Sequence, residues 1–556
     1  MLMDRKIIIY QIFTRLYGNR CTVRRENGTL AENGCGKMND ITDAGLERLR
    51  GMGVSHVWYT GIVRHATQTD YSAFGIPPCH PAVVKGRAGS PYAITDYYDI
   101  DPDLAVSVPD RMREFEALVA RTHRAGLKVV MDFVPNHVAR QYHSICKPTG
   151  VKDLGEDDIV DNGFDPRNNF YYCPGCAFAP HFSLEPADGG KAYEEYPAKA
   201  TGNDHFDPWP GTNDWYETVK LNYGVDYYAG RVGHFDPIPD TWGKMLQILL
   251  FWASKGIDGF RCDMAEMVPA EFWKWAIGQV KAAHSEILFI GEVYNPGEYR
   301  NYIASGFDYL YDKVGMYDTM RAVTCGHAPA SSITGAWQAT DDIRDNMLYF
   351  LENHDEQRIA SDCFAGNGLR GVPALVASVL MRRNPFMLYA GQEYGERGMD
   401  KEGFSGRDGR TTIFDYWSID TLCRADSGNL TDEECRLYDI YNRVLRIAAA
   451  EKSVCDGGFF DLMYVNQHSA DFNPNSQYAF LRATKDERLL VVVNFAENDA
   501  EVGVVIPAHA FETLGIAEKN YKAAELLTGG GQTLKLKKDT AVKLAVGGLG
   551  ACVLKF

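Results

Sequence analysis

Three acidic residues, each at or just past the end of a short apolar run, constrain this chain more than any other feature. Asp263 closes Gly259-Phe260-Arg261-Cys262-Asp263, Glu292 follows Ile287-Leu288-Phe289-Ile290-Gly291, and Asp355 follows Leu351-Glu352-Asn353-His354. Short apolar runs of this kind predict buried strands. Acids at the carboxyl ends of parallel strands converge on one pocket of an α/β barrel.

The spacing supports that architecture. Apolar runs at 7–13, 54–59, 127–133, 257–263, 287–292, 307–311, 347–351 and 386–389 predict eight strands. Helical patterns lie between several of them, at 43–52, 111–125 (stopped by Gly126) and 271–283, and another follows at 433–449. Strand and helix in alternation argue for a parallel sheet. A barrel unit takes roughly 30 residues, from about 250 over eight, so the long interval between the third and fourth runs holds an insertion at 138–228. Its Asp, Asn, Gly, Pro and aromatic content reads as loop. Beyond residue 452 the texture turns to short β runs at 478–482, 489–494, 502–506, 541–544 and 551–556, with turn clusters such as Thr528-Gly529-Gly530-Gly531. The expected organisation is a (β/α)8 TIM barrel from 1–137 and 229–452, an inserted loop-rich domain at 138–228, and an antiparallel β-sandwich at 453–556.

Composition narrows the ligand. A net charge of -17 repels nucleic acid and anionic membranes and suits a neutral or cationic small molecule. Thirteen cysteines, an odd number, exclude a fully paired disulfide framework. Cys173-Pro174-Gly175-Cys176 has the spacing of half a zinc site without a second half, and reads as a loop with free thiols. The stretch 1–10 reads as a first strand, not a signal peptide, which points to a cytoplasmic protein unless a leader was removed.

On a strand, side chains two apart share a face. Gly259, Arg261 and Asp263 therefore point together, while Phe260 and Cys262 turn to the helices. Arg261 is expected to hold Asp263 ionised by lowering its pKa. Glu292, beside apolar neighbours, suits a general acid. Asp132-Phe133-Val134-Pro135-Asn136-His137 adds a fourth acid and a histidine after the third strand.

Together the motifs Asp132 to His137, Gly259 to Asp263, Gly291-Glu292-Val293 and Asn353-His354-Asp355 resemble, in order and strand position, those of the α-amylase family of glycoside hydrolases. Tyr92 to Pro102, Gly391-Gln392-Glu393 and Gly409 to Trp417 extend the likeness. The resemblance implies a retaining reaction on α-1,4-glucans or maltooligosaccharides. Asp263 would be the nucleophile, Glu292 the acid and base, and Asp355 the third acid. It further implies that Arg261 orients Asp263, that His137 and His354 bind the sugar, and that Tyr92 is its stacking platform. Asn136 matches the family's calcium-binding asparagine, and the insertion offers Asp153, Glu156, Asp157, Asp158, Asp161 and Asp165 as oxygen ligands, so the resemblance leaves two readings open, a structural Ca²⁺ or an acidic loop that is simply solvated.

The chain departs from the family at Glu266 and Met267, where many members carry Lys and His. That departure keeps an alternative open, a 4-α-glucanotransferase or maltosyltransferase using the same triad. A non-catalytic sugar-binding relative is disfavoured, because all three acids are present. Chain-length preference is expected to depend on loops around Trp215, Tyr216 and Trp242.

Overall fold

The computed structural model describes residues 5–187 and 189–556. Met1–Asp4, part of the amino-terminal stretch read above, and Asp188 lie outside them. Eight parallel strands close into a barrel: β1 (Ile8–Phe13), β2 (His56–Thr60), β3 (Lys128–Phe133), β4 (Gly259–Cys262), β5 (Leu288–Gly291), β6 (Tyr309–Tyr311), β7 (Met347–Phe350) and β8 (Phe386–Tyr389). Each pairs with the next in sequence, and β8 returns to β1.

The two-residue period sorts the side chains. Ile9, Trp58, Val130, Arg261, Ile290, Tyr311, Leu348 and Met387, one from each strand, meet along the barrel axis. Phe260 points the other way and packs against Phe133 and Phe289, with ring centroids 6.1 and 5.5 Å away. Both faces of every strand are thus buried, which is why the strands read as near-continuous apolar runs. Each such side chain contributes about 1.5–3 kcal/mol. Arg261 is the one charged member of the ring.

Helices cover the outside. Helix Arg111–Arg124 buries Phe115, Leu118, Val119 and Thr122 on one face. It stops where Gly126 takes a φ of 75°, a left-handed turn that favours glycine. Helix Asp432–Ala450 begins with a capping box between Thr431 and Glu434.

Between β3 and β4 lies the loop-rich insertion, with only short pairings of its own. His137–Ala139 runs antiparallel to Thr218–Lys220, placing Lys220 opposite His137. Tyr172–Cys173 pairs with Ala198–Lys199. Trp242, expected near a cleft loop, instead sits in helix Asp240–Ser254, only 4% exposed, against Phe272 and Trp275. All thirteen cysteines are free.

The carboxyl-terminal region is antiparallel and contains more strands than the five expected. A six-stranded sheet runs in the order Gly458–Asp461, Gln477–Ala483, Arg488–Asn494, Gly550–Lys555, Lys519–Glu525, Gly531–Leu536, beside a two-stranded sheet of Ala500–Ile506 and Thr540–Val546. The additional strands are Gly458–Asp461, which is short and mostly half-buried, and Lys519–Glu525 and Gly531–Leu536, which expose most of their residues and so lack an apolar run. The latter two form the hairpin that turns at Gly529 and Gly530. Arg482 fastens this region to the barrel by donating from Nη1 to the Met381 carbonyl at 2.8 Å. No helix among the described residues is long and apolar enough to cross a membrane.

Candidate active site

The ends of β3, β4 and β5 bring three acids around Arg261. In register, Arg261 lies opposite Asp132 of β3 and Ile290 of β5. Ladder bonds continue one residue further: Asp263 N–H donates to the Phe133 carbonyl at 2.9 Å, and Glu292 N–H to the Cys262 carbonyl at 3.1 Å. These bonds aim both carboxyls into the same space. Arg261 Nη1 donates to Asp263 Oδ1 at 2.7 Å, and Nη2 lies 2.8 Å from Glu292 Oε1. Asp132 Oδ1 is 3.7 Å from Nη1. The guanidinium, 1% exposed, is enclosed by Trp58, Tyr92 and Tyr311 at 5.2–5.5 Å from their ring centres.

Glu292 is held at both oxygens. Oε2 accepts the Met264 N–H at 2.8 Å, and Oε1 accepts the Tyr294 hydroxyl at 2.7 Å. Asp355 follows β7 and keeps 39% of its side-chain surface, so it faces the opening. His354 Nε2 is 3.1 Å from Asp355 Oδ2 and also meets the Tyr92 hydroxyl. Gln11 Nε2, on β1, lies 2.8 Å from His354 Nδ1. An amide donor at Nδ1 places the ring proton on Nε2, facing Asp355. The histidine is neutral, since burial and the Arg261 charge hold it well below its ordinary value.

Charge balance corrects one expectation. Arg261 does favour ionised Asp263, but burial is the larger effect, and the carboxyl is raised well above its usual value rather than lowered. Asp263 is 6% exposed, and one cation is shared among several acids. Burial likewise pushes Asp132 up to about 6. Partial burial in the cleft and the neighbouring Glu292 hold the Asp355 carboxyl above its usual value.

Other expected residues lie elsewhere around the mouth. Tyr92 stacks on His354 with ring centroids 5.2 Å apart. His137 packs against Trp215 at 5.2 Å, and its Nδ1 lies 3.1 Å from Asn136 Nδ2. Burial and Lys220 hold it neutral, down to about 3. Trp58, Tyr294, Tyr311 and Gln11 were not anticipated. Gln11 carries a readable signal, a polar residue inside an otherwise apolar strand run.

Residues 17–425 match the α-amylase catalytic domain. The chain belongs to the α-amylase family. It is similar to an α-amylase of Haloarcula japonica, at 23% identity over 89% of this chain and 56% of that protein. It is also similar to α-amylase 3 of Dictyoglomus thermophilum, at 22% identity over 72% and 74% of the two chains. This chain therefore spans little more than half the length of the first of these relatives. A maltogenic α-amylase of Thermotoga neapolitana superposes over 100% of this chain and 99% of its own, with a TM-score of 0.64 at 19% identity, a likeness of fold.

Two α-amylase family features take a different form here. Glu266 turns to the backbone, where its Oε2 accepts the N–H groups of Tyr294 and Asn295 at 3.1 and 2.9 Å. Asn136, the candidate calcium ligand, is engaged on both sides of its amide: Nδ2 donates to the Gly202 carbonyl at 2.8 Å, and Oδ1 accepts from the Lys220 ammonium. A calcium ion needs that oxygen free. Several of the acids expected as further ligands are engaged elsewhere. Asp157 pairs with Lys152, Asp165 with Arg167, and Asp158 accepts the N–H groups of Asn169 and Phe170. Among the described residues, the one grouping of metal-ligand type is Asp96, Asp99 and Cys146, whose two acids already pair with Arg64 and Arg111.

Proposed function

We propose that the protein is a retaining α-glycosidase acting on α-1,4-linked glucans or maltooligosaccharides. The observation that carries this reading is the single guanidinium of Arg261 in contact with both Asp263 and Glu292. Neighbouring nitrogens of one group contact the two carboxyls, which brings them close together, as a retaining pair requires. In the reacting form the proton of the pair must lie on Glu292: Asp263, as the carboxylate paired with Arg261, attacks the anomeric carbon while Glu292 gives that proton to the departing glycosidic oxygen. A glycosyl-aspartate results. Glu292, now a carboxylate, takes a proton from water, which displaces Asp263 from the anomeric carbon and restores both groups. Asp355, oriented by His354 Nε2–H, faces the sugar hydroxyls, with Tyr92 beneath the ring.

The alternative of glucan transfer rests on the departure at Glu266 and Met267. One of the Glu266 carboxylate oxygens, Oε2, is taken up by two backbone donors, which favours a role in holding the segment beside Glu292. The test is a substrate panel of starch, maltose, pullulan and trehalose with products sized and their anomeric configuration read by NMR. Shorter α-configured products from the α-1,4 substrates are expected. Initial β-configured products, or chains longer than the substrate, would overturn the reading. Asp263→Asn should abolish turnover while leaving thermal unfolding intact.

A further inference from the structure

The Lys220 side chain occupies an unusual position. Lys220 is 2% exposed, at the end of the short strand that pairs with His137–Ala139. Its ammonium reaches three oxygens from three separate segments. Asn136 Oδ1 comes from the turn after β3, and Asp204 Oδ1, 2.7 Å away, from the insertion. The Met267 carbonyl, 3.2 Å away, comes from the turn that follows Asp263. The ammonium donates to Asn136 Oδ1 and the Met267 carbonyl and forms an ion pair with Asp204. Asp204 adopts a left-handed φ of 61°, and its other oxygen lies 3.8 Å from Arg231.

These oxygens are also hard donors of the kind a calcium ion takes. We propose that the Lys220 ammonium is the built-in cation of this joint, standing where a structural calcium ion would otherwise tie the insertion to the turn carrying Asp263. The charge that neutralises Asp204 is covalently attached, so no ion has to be captured for the joint to close. Lys220 is a positioning residue. Through Met267 it fixes the turn after Asp263, and through Asn136 it fixes the backbone beside His137.

Thermal unfolding with and without metal tests this. For the wild-type chain, the melting temperature should be the same in millimolar EDTA and in millimolar CaCl₂. Isothermal titration should find no saturable calcium binding that raises it. A melting temperature lowered by EDTA, or raised by calcium, would overturn the proposal. Lys220→Met keeps the methylenes and removes the charge, so its melting temperature should fall by several degrees. Lys220→Ala vacates the space and leaves the three oxygens, and calcium should then raise its melting temperature when the wild type shows no response. A Lys220→Met melting temperature equal to that of the wild type would also overturn the proposal. If neither variant folds, the wild-type measurements still decide.

Discussion

The backbone N–H of Met264 donates a 2.8 Å hydrogen bond to Glu292 Oε2. Met264 directly follows Asp263 and holds φ 42° and ψ 44°, a left-handed conformation that costs a residue with a β-carbon about 1–2 kcal/mol. One strained residue therefore ties the end of β4 to the acid after β5, as is common where a site over-determines its backbone.

The strained turn can be tested by substitution at Met264. Glycine relieves the left-handed cost and keeps the N–H, so Met264→Gly should change stability by no more than about 1 kcal/mol. Proline can neither reach that φ nor donate, and Met264→Pro should lower kcat at least about 100-fold. Denaturant melts and steady-state kinetics on the two variants check this. Equal activity in both would show that the hydrogen bond is idle.

Arg261→Lys keeps the charge but loses the fork. A lysine ammonium cannot hold Asp263 and Glu292 through two separate nitrogens. We expect kcat to fall about 100- to 1000-fold, as for loss of one preorganised charge contact, together with a lower melting temperature from under-compensated buried acids. A kcat within threefold of wild type would remove Arg261 from the site.

Stability should depend on pH through Asp132. Its carboxyl titrates at about 6 when folded, because burial outweighs Arg261 and the Gly61 N–H, against about 3.9 unfolded. Raising the pH therefore ionises this group in the unfolded chain first. The resulting penalty is absent below about pH 4, grows up to about pH 6, and then levels off at no more than about 3 kcal/mol. Asp132→Asn removes it. Denaturant unfolding of both forms at pH 4, 5, 6 and 7 should show wild type losing ground to the variant across that window; a constant difference would contradict the assignment.

Glu266→Ala deprives the N–H groups of Tyr294 and Asn295 of their acceptor. The segment next to Glu292 should loosen, lowering kcat by about tenfold for roughly 1–1.5 kcal/mol lost. The ratio of hydrolysis to transfer products should stay unchanged. A rise in products longer than the substrate would give Glu266 a role in acceptor choice that its backbone bonds do not suggest.

Local patterning carried the barrel, because each of its strands is buried on both faces and reads as an apolar run. The positions of Asp263, Glu292 and Asp355 after such runs, and the shared face of Arg261 and Asp263, were legible for the same reason. Lys519–Glu525 and Gly531–Leu536 were not, since strands with most residues exposed carry too few apolar side chains to stand out. What only the tertiary structure decided depends on distance through space. Burial reversed the direction expected for Asp263, and desolvation belongs to the folded surroundings rather than to the neighbouring arginine. Lys220 lies far along the chain from Asn136, and only the pairing of its strand with His137–Ala139 delivers its charge to that oxygen. The sequence by itself determined which acids stand at the strand ends, and folding decided which cations they and their neighbours share.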